Sequence, residues 1–127
     1  MIRQFEDLEV WQLARVLCQD IYKITNDDLF SRDFRFRDQI RASSGSIMDN
    51  IAEGFERNGN KEFVQFLYIA KGSCGELRSQ LHRSFDNQYI TQENYNTLNN
   101  KTLQVSKSIS GFIQYIKNSD YKGSKNK

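Results

Sequence analysis

The chain contains no proline, one histidine, one tryptophan and two cysteines. Each shortage excludes something. Proline interrupts helices and marks loops, so a 127-residue chain without it reads as long helices joined by short turns. A di-iron bundle needs a Glu-x-x-His motif from each of two helices, and His82 stands alone. A Ser–His or Cys–His nucleophile pair would have to use His82 itself, and no such motif surrounds it. Cys18 and Cys74 have neither metal-knuckle nor disulfide-framework spacing. They sit among apolar or small residues and read as buried, inert thiols. The glycines follow neither the P-loop nor the dinucleotide pattern. No apolar run approaches the roughly 18 residues of a membrane span, and Met1 to Asp7 lacks a secretory pattern. The expectation is a cytoplasmic protein that is not an enzyme, with no membrane segment, metal, cofactor or catalytic residue.

What remains is a chain with 38% hydrophobic and 27% charged residues, which suits one globular domain. The net charge is only +2, but it is unevenly spread. Residues 1–30 carry three basic and six acidic side chains, and residues 101–127 carry six basic and one acidic. Such asymmetry could attract an anionic partner, or join subunits to one another.

Apolar positions recur at steps of three and four through four segments, the signature of amphipathic helices. The first runs from Asp7 to Thr25 on Leu8, Trp11, Ala14, Leu17, Cys18, Ile21 and Ile24, with Asp7 as its cap. The second runs from Asp33 to Arg57 on Phe36, Ile40, Ser44, Ile47, Ile51 and Phe55. Asn58-Gly59 stops it, since glycine takes a left-handed helix end without steric cost. Asn60 caps a third helix from Lys61 to Phe85, whose front half, Phe63 to Ala70, is apolar on nearly every side. Thr91 caps a fourth from Gln92 to Lys117, with a seam of Leu98, Thr102, Val105, Ile109, Phe112 and Ile116. Short turns make successive helices antiparallel. The predicted fold is an all-α, antiparallel up-down-up-down four-helix bundle over residues 1–118. Residues 119–127 form a polar, Lys-rich tail expected to be disordered.

The second and third helices carry small residues where helices usually do not. Interior glycine costs roughly 1 kcal/mol relative to alanine, yet Gly45, Gly54, Gly72 and Gly75 all fall inside predicted helices. Folding about Asn58-Gly59 sets Gly45-Ser46 opposite Gly72-Ser73, which predicts close packing of the two backbones. A lone bundle cannot bury a helix that is apolar all round, so Phe63 to Ala70 predicts self-association.

Polar and basic residues supply the remaining candidates. Asn50 and Glu53 lie one turn apart, and Glu53 can pair with Arg57 at i+4. Arg35, Arg37 and Arg41 crowd the start of the second helix, and Arg78 and Arg83 the end of the third. An antiparallel pair brings these to one end of the bundle, where arginine can contact phosphates bidentately. Asp33, Asp38, Glu76 and Asp86 share that end, so a solvated mixed-charge surface is the competing reading.

Several motifs extend over nearly the whole chain. They are Phe5-x-Asp7-Leu8-x-Val10-Trp11-x-x-Ala14, Gln39-Ile40-Arg41, Ser46-Ile47, Asn50-Ile51-Ala52-Glu53-Gly54 and Phe66-Leu67-x-Ile69-Ala70-x-Gly72-Ser73-x-x-Glu76-Leu77. Together they resemble the bacterial four-helix bundle family of proteins encoded in intervening sequences of 23S ribosomal RNA genes. Some members carry the label S23 ribosomal protein. The same fold is used by the accessory variability determinant of diversity-generating retroelements. Many relatives carry a proline where this chain has Met48-Asp49, so the second helix should be straighter here. The resemblance implies a ring-like homo-oligomer, a pentamer in characterised relatives. From the residues themselves, Gly45, Asn50, Glu53, Gly54, Phe66, Gly72 and Ser73 read as helix-packing or subunit contacts. In the retroelement branch the resemblance implies binding of nucleic acid and of a reverse transcriptase. The expected function is therefore a non-enzymatic, homo-oligomeric module contacting RNA or DNA, and its alternative is a scaffold without nucleic-acid affinity.

Overall fold

The structure is a computed structural model that describes residues 1–125, with side-chain surroundings given through Ser119. It is an all-α bundle. A 3-10 turn at Phe5–Asp7 precedes α1 (Glu9–Ile24), α2 (Asp28–Arg32), α3 (Phe34–Glu56), α4 (Asn60–Asp86) and α5 (Gln92–Lys125). The four long helices stand around a square, α1 on α3, α3 on α4, α4 on α5 and α5 on α1. α5 runs past its expected end at Lys117, and the rest of what was expected of the tail falls outside the described residues.

Local chemistry sets the helix ends. Asp7 does not cap α1. Its carboxylate turns back to accept from the Arg3 and Gln4 backbone N–H groups, at 2.9 and 3.2 Å, closing the 3-10 turn. Asp33 caps α3 by accepting from Phe36 N at 3.2 Å, and Thr91 caps α5 by accepting from Asn94 N at 3.1 Å. The cap before α4 is Gly59 rather than Asn60, with φ of 137°, a conformation costly for any residue with a Cβ. α2 was not foreseen. Its five residues bury a single side chain, Phe30, too little for a periodic signal. With no proline at Met48-Asp49, α3 is unbroken from Phe34 to Glu56.

The core is one hydrophobic cluster in which Ala14, Ile21, Phe30, Ile40, Ile47, Ile51, Leu67, Leu77, Leu81 and Ile109 are fully buried. The α5 seam differs from expectation at one position. Ile113 is buried and Phe112 only half-buried. A straight helix with 3.6 residues per turn drifts off a strict heptad, which carries Phe112 to the edge of the core. There it meets Phe63 edge-on, with ring centroids 5.5 Å apart.

The α3–α4 pairing keeps the expected register. Ser46 and Ser73 hydroxyls are 3.0 Å apart, Ser43 donates to Glu76 Oε1 at 2.7 Å, and the Arg83 guanidinium lies 4.5 Å over the Phe36 ring. The close approach of backbones, however, is not at Gly45 or Gly72. A Cβ added to either would meet no described atom within 4 Å. It is at Gly54, where a Cβ would sit 2.7 Å from Phe66 Cβ and 2.9 Å from Phe63 Cδ1. Phe66 Cβ is anchored to the α4 backbone, so relief would require one helix to move. Gly54→Ala gains roughly 1 kcal/mol of helix propensity. Overpacking of about 1–3 kcal/mol opposes it. The expected outcome in chemical denaturation is a net loss of stability, and an unchanged or raised midpoint would contradict the close contact.

Candidate nucleic-acid interface

The five arginines expected at one end of the bundle do not form one cluster. Arg83 reaches from α4 to Phe36 on α3. Arg35 lies in the adjoining turn of α3, exposed, and has no hydrogen bond or ion pair among the described residues. Arg37 and Arg41 lie elsewhere, Arg37 against α2 and Arg41 against the end of α1. Arg37 stacks 5.1 Å over Phe34, pairs with Asp38 at 3.1 Å and donates to Ser31 O. Arg41 donates to Thr25 Oγ1 at 2.8 Å and Asn26 Oδ1 at 2.9 Å, and lies 4.8 Å over the Tyr22 ring. It fastens α3 to the end of α1. Arg78 sits on the α5 side, donating to Asn99 Oδ1 at 3.2 Å.

The acidic residues of that end are partly engaged. Asp33 accepts from the Phe36 N–H and from the Tyr89 hydroxyl at 2.8 Å. That hydrogen bond raises Tyr89 above the usual phenol range, with burial and the Asp33 charge adding to it. Glu76 is held by Ser43. Asp86 is exposed at the end of α4. His82 is exposed and meets Tyr95 Oη at 3.0 Å, an ordinary surface pair.

The second set of candidates lies along the α3–α4 seam. Asn50 donates to Ser46 O and Oγ, at 2.8 and 3.0 Å, extending the Ser46–Ser73 contact by one turn. Glu53 pairs with Arg57 at 2.9 Å, and the Arg57 guanidinium lies 5.1 Å over the Phe66 ring. Outside this seam the protein is open. On α4, Ile69 is 51% exposed and Gly72 and Gly75 are exposed, while Tyr68 accepts from Lys117 of α5 at 2.9 Å. Among the described residues no group of His, Cys, Asp and Glu could hold a metal ion. None of their helices is long and apolar enough to cross a membrane.

The described residues form an all-α helical bundle with arginine–aromatic contacts at one end. The chain belongs to the 23S rRNA-intervening sequence protein family, whose family model spans residues 6–111. It is similar to a crystal structure of a protein of unknown function from the S23 ribosomal protein family of Bacteroides thetaiotaomicron VPI-5482. The two chains are 27% identical, with a TM-score of 0.74, over 82% of this chain and 97% of the other. No curated protein matches the chain.

The cysteines separate by environment. Cys74 is buried, and burial pushes its thiol up to about 12, against a smaller opposing pull from Lys71. Cys18 is only half-buried, in a groove between α1 and α3, where it lies 3.5 Å from Ser44 Oγ. A thiol held above its unfolded value of 9.0 stabilises the fold below that pH, and the contribution is lost as pH climbs toward 12. Thiolate is the reactive form. At pH 8 a disulfide reagent should therefore label one thiol per native chain, and Cys18→Ser should remove that reaction. Two fast-reacting thiols would contradict the burial of Cys74.

Proposed function

We propose that this protein is a non-enzymatic, cytoplasmic, homo-oligomeric module that contacts RNA or DNA through the arginine-bearing end of its bundle. The observation that supports the reading is Arg83 of α4 reaching over Phe36 of α3, the sequence neighbour of exposed Arg35. Contacts of this kind are read by phosphate oxygens without regard to sequence. Repetition around a ring would multiply a weak contact through effective concentration.

Support for self-association comes from the outer side of the α3–α4 pair. Gly45, Gly72 and Gly75 lie inside helices with open space where a Cβ would be. Each costs roughly 1 kcal/mol of helix stability, and no contact within the chain explains them. A neighbouring helix from another copy would. Exposed Ile69 would be buried by the same neighbour. A ring of five follows from the family resemblance alone, as does a protein partner such as a reverse transcriptase.

The scaffold reading has an observation of its own. Arg37, Arg41 and Arg78 are all engaged within the chain, leaving Arg35 and Arg83 as the freer cations. The two readings part on binding. Light scattering should give a mass that is a multiple of the 14.9 kDa chain. The protein should retain RNA or DNA at roughly 50 mM salt and release it steeply as salt rises. Arg35→Glu with Arg83→Glu should weaken retention and leave the mass unchanged. A multimer without retention would decide for the scaffold, and a single-chain mass would end the assembly claim.

A further inference from the structure

We infer that the flank of the bundle where α1 meets α3 is a binding site for single-stranded nucleic acid, with Phe34 and Tyr22 as base-stacking platforms. This rests on the nucleic-acid reading above and adds to it a second surface, away from Arg35 and Arg83, with the strand form it takes.

Large aromatic side chains normally go inside. Here two stay out on one flank, with Phe34 66% and Tyr22 47% exposed. Each carries an arginine over its ring, Arg37 on Phe34 at 5.1 Å and Arg41 on Tyr22 at 4.8 Å. Phe34, Arg37 and Arg41 recur at steps of three and four, so they share one side of α3. Residues 34 and 41 are about 10 Å apart along the helix axis, at 1.5 Å per residue. Arg41 also ties this row to α1 through Thr25 and Asn26, which fixes Tyr22 relative to Phe34.

Tyr22, which Arg41 of this row covers, also lines a groove between the two helices. Tyr22, Arg15, Lys23, Cys18 and Met48 line it, giving a mainly apolar floor with basic groups at its rim. Arg15 lies 5.6 Å over the Trp11 ring, a third arginine laid on an aromatic along α1. Against Arg15, Lys23, Arg37 and Arg41 stand Asp38, already paired with Arg37, and Asp27 and Asp28 at the α1–α2 turn. The excess is positive along the groove itself.

This combination fits a single strand and not a duplex. A single strand offers unstacked base faces, and an exposed ring flanked by arginine can take one without regard to sequence. A duplex keeps its bases stacked on one another and offers phosphates alone, so Phe34 and Tyr22 would be idle. Engagement of Arg37 and Arg41 within the chain is then no obstacle. Their guanidinium carbons lie 5.1 and 4.8 Å from the ring centroids and so place positive charge beside the stacking platforms, while Arg15 and Lys23 would meet the backbone.

The test is fluorescence anisotropy of the full chain with labelled oligonucleotides of about 12 nucleotides. Oligo-dT and oligo-U are compared with a mixed-sequence duplex of equal length at roughly 50 mM salt. The expected result is tighter binding of the single strands. Phe34→Ala should weaken it about fivefold or more, Tyr22→Ala likewise, and Phe34→Trp should retain it. The exposure of Phe34 makes its loss harmless to folding, which circular dichroism checks. Equal or tighter binding of the duplex, or unchanged single-strand affinity in Phe34→Ala, overturns the stacking site and leaves the nucleic-acid reading standing. Binding of neither form overturns both.

Discussion

The structure depends on one contact between backbones, the crossing of α3 and α4 at Gly54. With no Cβ at that position, Phe66 and Phe63 settle directly against α3. The rest of the seam follows in register, from Ser46–Ser73 through Ser43–Glu76 to Phe36–Arg83. Because the turn between the helices is short and Gly59 can hold φ at 137°, the pairing leaves little freedom for slippage. Polar groups in this seam have defined partners, with one exception. The Gln80 Oε1 atom is buried and has no hydrogen-bond partner among the described residues. A buried polar atom left so costs on the order of 1–3 kcal/mol, which the surrounding aliphatic packing must offset.

The two sides of the α3–α4 pair do different things. Toward the core, Ile40, Ile47, Ile51, Leu67, Leu77 and Leu81 are sealed from water. Away from it, glycines stand where alanines would make better helices, and Ile69 stays wet. A chain selected only to fold as a single bundle would gain by filling those positions. Their emptiness makes sense if another surface lies against them. The arginine-bearing end and the α1–α3 flank would then face outward from the assembly and be free for an anionic strand.

Much of this was legible in the sequence. The helices announced themselves through period alone, and the α3–α4 register could be read from the Asn58-Gly59 turn and helix lengths. Two things could not. Which glycine makes the close contact depends on the helix rotation, and the pattern of small residues does not distinguish an inward Gly54 from an outward Gly72. The arginines misled for a similar reason. Residues four apart share a side of a helix, but Arg35 and Arg37, two apart, diverge by more than half a turn. Arg37 therefore went to α2 and Arg41 to the end of α1, while Arg35 stayed exposed. Exposed Phe34 and Tyr22 carried a signal that periodicity treats as noise, since both fall off the apolar stripe of their helices.

The central claim is that the outer glycines serve contacts between copies, whereas Gly54 serves contacts within one. The most direct measurement is the mass and helical content of Gly72→Leu. The added side chain meets open space in the isolated chain but would collide with a neighbour. The expected result is an unchanged helical signal with a mass that falls toward one 14.9 kDa chain. A Gly72→Leu protein that keeps both the parental helicity and the parental multimer would contradict the claim.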